Sequence, residues 1–225
     1  MKLFIIRHGD PDYDNDTLTE RGWQEAELLK ERLLRDNITK VYCSPKGRAQ
    51  ATAKPFLEAT GLTSVTCDFL REFLVAVVEN GREKPAWCLS PEFYEKNRRQ
   101  LEDREDWFNN EIYQRYDLIS HERRVLESFD NLLAENGYTR EGSLYNVAPG
   151  TDTEQNIAIF CHAGLGLLLL SHIADIPTSI MWQMFKIQPT GVSTVIFSGR
   201  EKAHANIFGV GDMTHLASVG LTYKG

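Results

Sequence analysis

An apolar run that stops abruptly at Arg-His-Gly constrains this chain more than any other stretch. Leu3-Phe4-Ile5-Ile6 has the continuous apolar character of a strand buried on both faces, and Arg7-His8-Gly9 ends it in a tight cationic turn. The plan recurs late in the chain, where Ile157-Ala158-Ile159-Phe160-Cys161 runs directly into His162-Ala163-Gly164. Buried strands that end in functional side chains belong to α/β proteins, which place their chemistry at strand ends. Arg7 carries a planar fork of N–H donors suited to a phosphoryl or carboxylate group, His8 an imidazole able to attack or shuttle a proton, and Gly9 a backbone that a ligand can approach closely. Taken alone, these three residues fit a core strand with an incidental basic end equally well.

At 225 residues, one domain with an insertion is expected. The composition, 42% hydrophobic and 25% charged, is that of a globular protein, and the most apolar segment, Leu165 to Leu170, is far too short to span a membrane. Arg7 and His8 interrupt the first apolar run, so a secretory signal is not expected and a cytoplasmic location is. Cys43, Cys67, Cys88 and Cys161 show no CxxC spacing and read as reduced thiols, not as disulfides or zinc ligands. A net charge of −7 argues against nucleic acid, so an anionic ligand would have to meet a local positive field.

After Gly9, Asp10 to Asp16 is a polar loop. Asp12, Asp14 and Asp16 resemble the start of a calcium loop, but Thr17 stands where the turn glycine belongs and Trp23 where the bidentate glutamate belongs, so no metal site is expected. Thr19 caps a helix with Trp23, Ala26, Leu29 and Leu33 on its core face. Val41-Tyr42-Cys43 is a short strand, and Ser44-Pro45 reads as N-cap and first turn of a helix over 46–60, kinked at Pro55 and closed by Gly61. Arg48 then lies at the positive end of that helix. Val65-Thr66-Cys67 reads as a third strand, leading to Leu70-Arg71-Glu72.

The stretch 73–156 reads as a mostly helical insertion covering a site. Its clearest helix opens at Ser120, carries Val125, Leu126, Phe129, Leu132 and Leu133, and stops at Gly137, with 142–156 expected as loop. Arg82, Lys84, Lys96, Arg98 and Arg99 are balanced by nearby glutamates and read as a solvated face. Helices over 165–174 and 179–185 and strands over 192–197 and 205–208 complete the chain. The expected fold is a three-layer α/β/α sandwich, 1–225 in one domain, around a mostly parallel sheet of about six strands.

In such a fold His8, Arg48 and His162 follow strands directly or within a helical turn and can converge on one sheet edge. Two histidines and two arginines suit a dianionic phosphoryl group: the arginines neutralise charge, one histidine attacks phosphorus, and the other donates to a non-bridging oxygen. At this point the chain resembles the histidine phosphatase superfamily, also called phosphoglycerate mutase-like. The resemblance rests on Arg7-His8-Gly9, Leu18-Thr19-Glu20-Arg21-Gly22, Ser44-Pro45 with Arg48-Ala49 and Thr52-Ala53, Leu70-Arg71-Glu72 and Cys161-His162-Ala163-Gly164. Gly209, Asp212 and Thr214-His215-Leu216 are similar as well.

The resemblance implies that His8 is a nucleophile forming a phosphohistidine, that Arg7, Arg48 and His162 bind phosphoryl oxygens near Gly9, and that Glu72 is the proton donor. It implies no cofactor, a small phosphorylated substrate and metal-independent hydrolysis. The alternatives are phosphoglycerate mutase chemistry and a phosphate-ester binding protein without turnover. Family mutases carry Glu, Ser or Thr, Trp and Asn after the glycine, whereas this chain has Asp10, Pro11, Tyr13 and Asp14. A carboxylate at Asp14 would oppose a dianion, which favours hydrolysis over mutase chemistry. Oligomeric state is not readable from the sequence.

Overall fold

The protein is represented by a computed structural model that describes residues 1–217, 219 and 220. In chain order the elements begin with β1 (Lys2–Arg7), the two-residue strands β2 (Pro11–Asp12) and β3 (Thr17–Leu18), α1 (Glu20–Leu33), β4 (Lys40–Cys43), α2 (Gly47–Thr60) and β5 (Ser64–Thr66). A hairpin of β6 (Ala76–Glu79) and β7 (Arg82–Pro85) follows, then α3 (Pro91–Leu101), α4 (Glu111–Arg115), α5 (Leu118–Glu135) and a second hairpin, β8 (Tyr138–Glu141) and β9 (Leu144–Val147). The chain then forms β10 (Asn156–Cys161), α6 (Ala163–Ala174), α7 (Thr178–Met184), β11 (Val192–Ser198), β12 (Lys202–Asp212) and α8 (Thr214–Ala217).

The central sheet has eight strands in the order β5-β4-β10-β1-β11-β12-β9-β8. β5, β4, β10 and β1 are parallel, whereas every pairing from β1 through β11, β12 and β9 to β8 is antiparallel. The sheet is therefore larger than expected and mixed, not mostly parallel. The reason is local: β11–β12 and β8–β9 are hairpins, and a short connection can join only antiparallel neighbours.

Alternation along β1 divides the core. Leu3 and Ile5 face a cluster that includes Leu132, Leu165, Leu168 and Leu169 from α5 and α6. Phe4 and Ile6 face Leu29, Leu33, Ala49, Ala53 and Phe56 from α1 and α2. Both faces of the central strands β10 and β1 are thus covered by helices, which is why their inner residues are continuously apolar, whereas the edge strand β5 (Ser64–Thr66) is largely exposed.

Several local expectations differ from the fold. Trp23 is 37% exposed, while Glu25 is only 1% exposed because Arg21 and the Asp10 backbone N–H satisfy its carboxylate. α2 continues through Pro55 to Thr60, and the Gly61 N–H (φ +71°) closes it on the Leu57 carbonyl. α5 begins at Leu118, so Ser120 lies inside it, and 144–147 is a strand where a loop was expected. The 73–156 segment carries two hairpins beside its helices, one of which extends the central sheet. No helix among the described residues is long and apolar enough to cross a membrane.

Candidate active site

The site is assembled where β4, β10 and β1 end side by side. The Arg7–Cys161 register places His8 and His162 next to one another, and the His8 N–H donates to the Cys161 carbonyl at 3.0 Å. Ser44 is placed beside them in the same way, its N–H donating to Phe160 at 2.9 Å. The two imidazoles lie 5.1 Å apart, centroid to centroid, edge to face.

His8 is 2% exposed, and its Nδ1 lies 2.8 Å from the Gly9 carbonyl. A carbonyl only accepts, so the proton is on Nδ1 and the lone pair on Nε2. Burial is the main cause that lowers its pKa to about 3, and Arg7 and Arg48 add to it. The imidazole is thus neutral, and its Nε2 can attack an electrophile. Gly9 is confined by α1: a Cβ there would lie 2.9 Å from the Gly22 carbonyl.

Arg7 and Arg48 are each anchored through one nitrogen. Arg7 Nη1 donates to the Ile187 carbonyl at 2.6 Å, and Arg48 Nη1 pairs with Asp16 at 2.7 Å. The Nε of both arginines and Nδ1 of His162 are buried with no partner. Unpaired buried donors are costly, and an anion accepting from such groups would remove that cost. His162 is fully buried, its Nε2 lies 2.8 Å from Ser44 Oγ, and burial lowers its pKa to about 2, with His8 and the two arginines contributing.

Glu72 sits across the start of α6. Its Oε1 accepts from the Leu165 N–H at 2.9 Å and the Phe73 N–H at 3.0 Å, and its Oε2 faces the Gly164 N–H at 3.4 Å. Burial raises its pKa, against those N–H groups and Arg7, which favour the carboxylate. Glu72 also borders a cavity of about 450 Å³ walled by Phe69, Phe73, Leu74, Val75 and His121. Trp87 donates to the Phe73 carbonyl and packs on Gly164, where a Cβ would come within 2.5 Å of its indole nitrogen.

The six residues singled out in the sequence, Arg7, His8, Gly9, Arg48, Glu72 and His162, therefore occupy one region. Three others escaped notice. Asp16, not Asp14, is the loop carboxylate at the site: it pairs with Arg48 and accepts from the Gly47 N–H at 2.9 Å, while Asp14 is exposed. Gly47 permits this approach, since a Cβ would lie 2.1 Å from the Asp16 carbonyl. Ser44 caps no helix, because α2 starts at Gly47 with Lys46 as its cap, and its hydroxyl is instead at His162. Thr190, in the left-handed region (φ +55°), donates its N–H to the His8 carbonyl and is backed by buried His215. Ser44 and His215 stand in stretches that resemble the family, whereas Asp16 and Thr190 carried no such signal.

Fold and site together define a mixed α/β protein with a paired-histidine, anion-complementary centre at adjoining strand ends. The chain belongs to the histidine phosphatase superfamily, branch 1, whose family model matches residues 3–207. It is 35% identical over 101 residues to a probable phosphoglycerate mutase of Yersinia pestis, a match covering 41% of this chain and 46% of that relative, so the chain spans about half the length of the curated relatives it matches. The phosphoserine phosphatase of Entamoeba histolytica has a similar fold, with a TM-score of 0.62 at 18% identity over 96% of this chain and 98% of that one. A mycobacterial glucosyl-3-phosphoglycerate phosphatase gives 0.60 at 17% identity over 92% and 96%.

Proposed function

We propose that the protein is a metal-independent phosphomonoesterase that acts on a small phosphate ester through a phosphohistidine on His8. The observation that carries this reading is the neutral His8, with Nδ1 held by Gly9 and its lone pair on Nε2, beside Arg7, Arg48 and His162.

In the first half-reaction His8 Nε2 forms a bond to phosphorus while the bond to the ester oxygen breaks. For this step Glu72 must carry a proton, the form that its burial favours, and it gives that proton to the leaving oxygen. The phosphorylated ring keeps its Nδ1 proton, and the Gly9 carbonyl stabilises the positive charge that develops there. The arginines and His162 hold the non-bridging oxygens throughout. In the second half-reaction water attacks phosphorus, Glu72 takes the water proton, and the bond to Nε2 breaks, releasing inorganic phosphate and restoring neutral His8. The cavity beside Glu72 offers the leaving alcohol room.

Phosphate release from p-nitrophenyl phosphate and a panel of phosphorylated metabolites tests the reading, together with a phosphoryl adduct on the intact protein by mass spectrometry after alkaline quenching. A folded His8→Ala protein is expected to lose both, and release equal to that of the native protein sinks the proposal. Mutase chemistry has one observation in its favour, the Yersinia relative. It would be seen as interconversion of 2- and 3-phosphoglycerate faster than phosphate release. Asp14, whose carboxylate would oppose a dianion, is exposed, and the loop carboxylate that pairs with Arg48 is Asp16.

A further inference from the structure

We infer that Ser44 is a positioning residue that fixes the tautomer of His162, so that His162 donates at the point where His8 attacks. The inference rests on the phosphoryl-binding reading of the site.

A neutral imidazole carries one N–H, and which nitrogen holds it decides whether the ring offers the ligand a proton or a lone pair. Both histidines are neutral, because burial lowers each far below the ordinary range. They are tied at opposite nitrogens. His8 is held through Nδ1 by a carbonyl, and His162 through Nε2 by the Ser44 hydroxyl at 2.8 Å.

The direction of the second bond follows from where the Ser44 proton can go. Its Oγ accepts from the Lys46 backbone N–H at 3.3 Å, and since the serine is fully buried and its hydroxyl faces no acceptor among the described residues other than His162 Nε2, only donation to that nitrogen leaves its proton satisfied. With Nε2 accepting, the His162 proton is on Nδ1. Nδ1 is buried and has no partner, in a site where Arg7 Nε and Arg48 Nε are also buried and unpartnered. The three free donors suit one anion. The opposite tautomer would turn a lone pair toward a phosphoryl dianion and replace an attraction with a repulsion. Ser44 can do this because β4 adjoins β10 in the sheet, which sets the serine beside His162 although the two are far apart in sequence.

Long-range proton–nitrogen spectra of the histidine-labelled full chain read the tautomer directly, with the His162 signals assigned by their loss in His162→Gln. The native protein is expected to show a protonated Nδ1 and an accepting Nε2 at His162, the reverse of His8. Ser44→Ala should move the His162 nitrogen shifts toward an averaged or reversed pattern and leave those of His8 in place. Its affinity for vanadate should fall about ten- to a hundredfold, the range for one hydrogen bond to a charged group. Ser44→Thr, which keeps the hydroxyl, should retain both properties. A protonated Nε2 at His162 in the native protein overturns the inference whatever the variants do, and so does a Ser44→Ala protein with native shifts and native vanadate affinity. The expected spectrum in a protein that hydrolyses no ester would uphold the tautomer assignment while sinking the phosphatase reading.

Discussion

Glu122 presents the sharpest test of the physical reasoning, because a buried carboxyl outside the candidate site should govern how stability depends on pH. It lies on α5 and is 7% exposed; one oxygen accepts from Thr178 Oγ1 at 2.8 Å and the other has no partner. Burial raises its pKa from 4.5 to about 7. The folded protein therefore binds this proton more tightly than the unfolded chain, and stability falls as pH rises between those two values. At 1.36 kcal/mol per pH unit the ionised group costs roughly 3 kcal/mol above pH 8 and nothing below pH 4. Glu122→Gln keeps the shape and the Thr178 bond but cannot ionise. Urea unfolding at pH 5 and pH 8 should show the variant gaining on the native protein by about 2.5 kcal/mol between the two conditions, or roughly 5–10 °C in melting temperature for a chain of this size. The comparison cancels every other titrating group. A difference between the two proteins that stayed constant from pH 5 to pH 8 would refute the argument.

Three further outcomes follow from the geometry. The ring signals of His8 and His162 should not titrate between pH 5 and pH 8, since burial holds both far lower, and a midpoint near 6.5 for either would contradict that. Glu72→Gln should slow formation of the phosphohistidine from alkyl phosphates by about 10²–10⁴, the usual yield of general acid catalysis, and its formation from p-nitrophenyl phosphate much less, because nitrophenolate leaves without a proton; the comparison is made on the first turnover, since the water step also uses Glu72 and is common to both substrates, and equal losses in that first turnover would remove Glu72 from the donor role. Gly22→Ala should destabilise the fold by about 1–3 kcal/mol in a thermal melt, because its Cβ would lie 2.2 Å from the Asp10 carbonyl, and this clash outweighs the roughly 1 kcal/mol that alanine normally gains within a helix.

How much was legible from sequence depended on whether the deciding interaction was local. Trp23, expected on the core face, is partly exposed while Glu25 is buried, because an apolar stripe records hydrophobicity but not the partners that let a carboxylate be buried. β8 and β9 were missed since Tyr-Thr-Arg-Glu and Leu-Tyr-Asn-Val, at the sheet edge, need no continuous apolar run. Asp14 and Asp16 are equivalent in composition and turn chemistry; the β2–β3 pairing shapes the loop in which only Asp16 reaches Arg48.

By itself the sequence determined the two buried strands ending in His8 and His162, the α/β layering around them, and Arg7 and Gly9 at the first strand end, because burial on two faces and charge at a strand end are written in consecutive residues; Arg48 was legible from its place at a helix start, and Glu72 only from the resemblance to the family. Tertiary structure alone decided the antiparallel pairings of β1 with β11 and of β12 with β9, the contact of Asp16 with Arg48, the place of Glu72 at the start of α6 and the contact of Ser44 with His162. Each of these joins residues distant in the chain, and their hydrogen bonds exist only once separate strands, helices and loops have packed side by side.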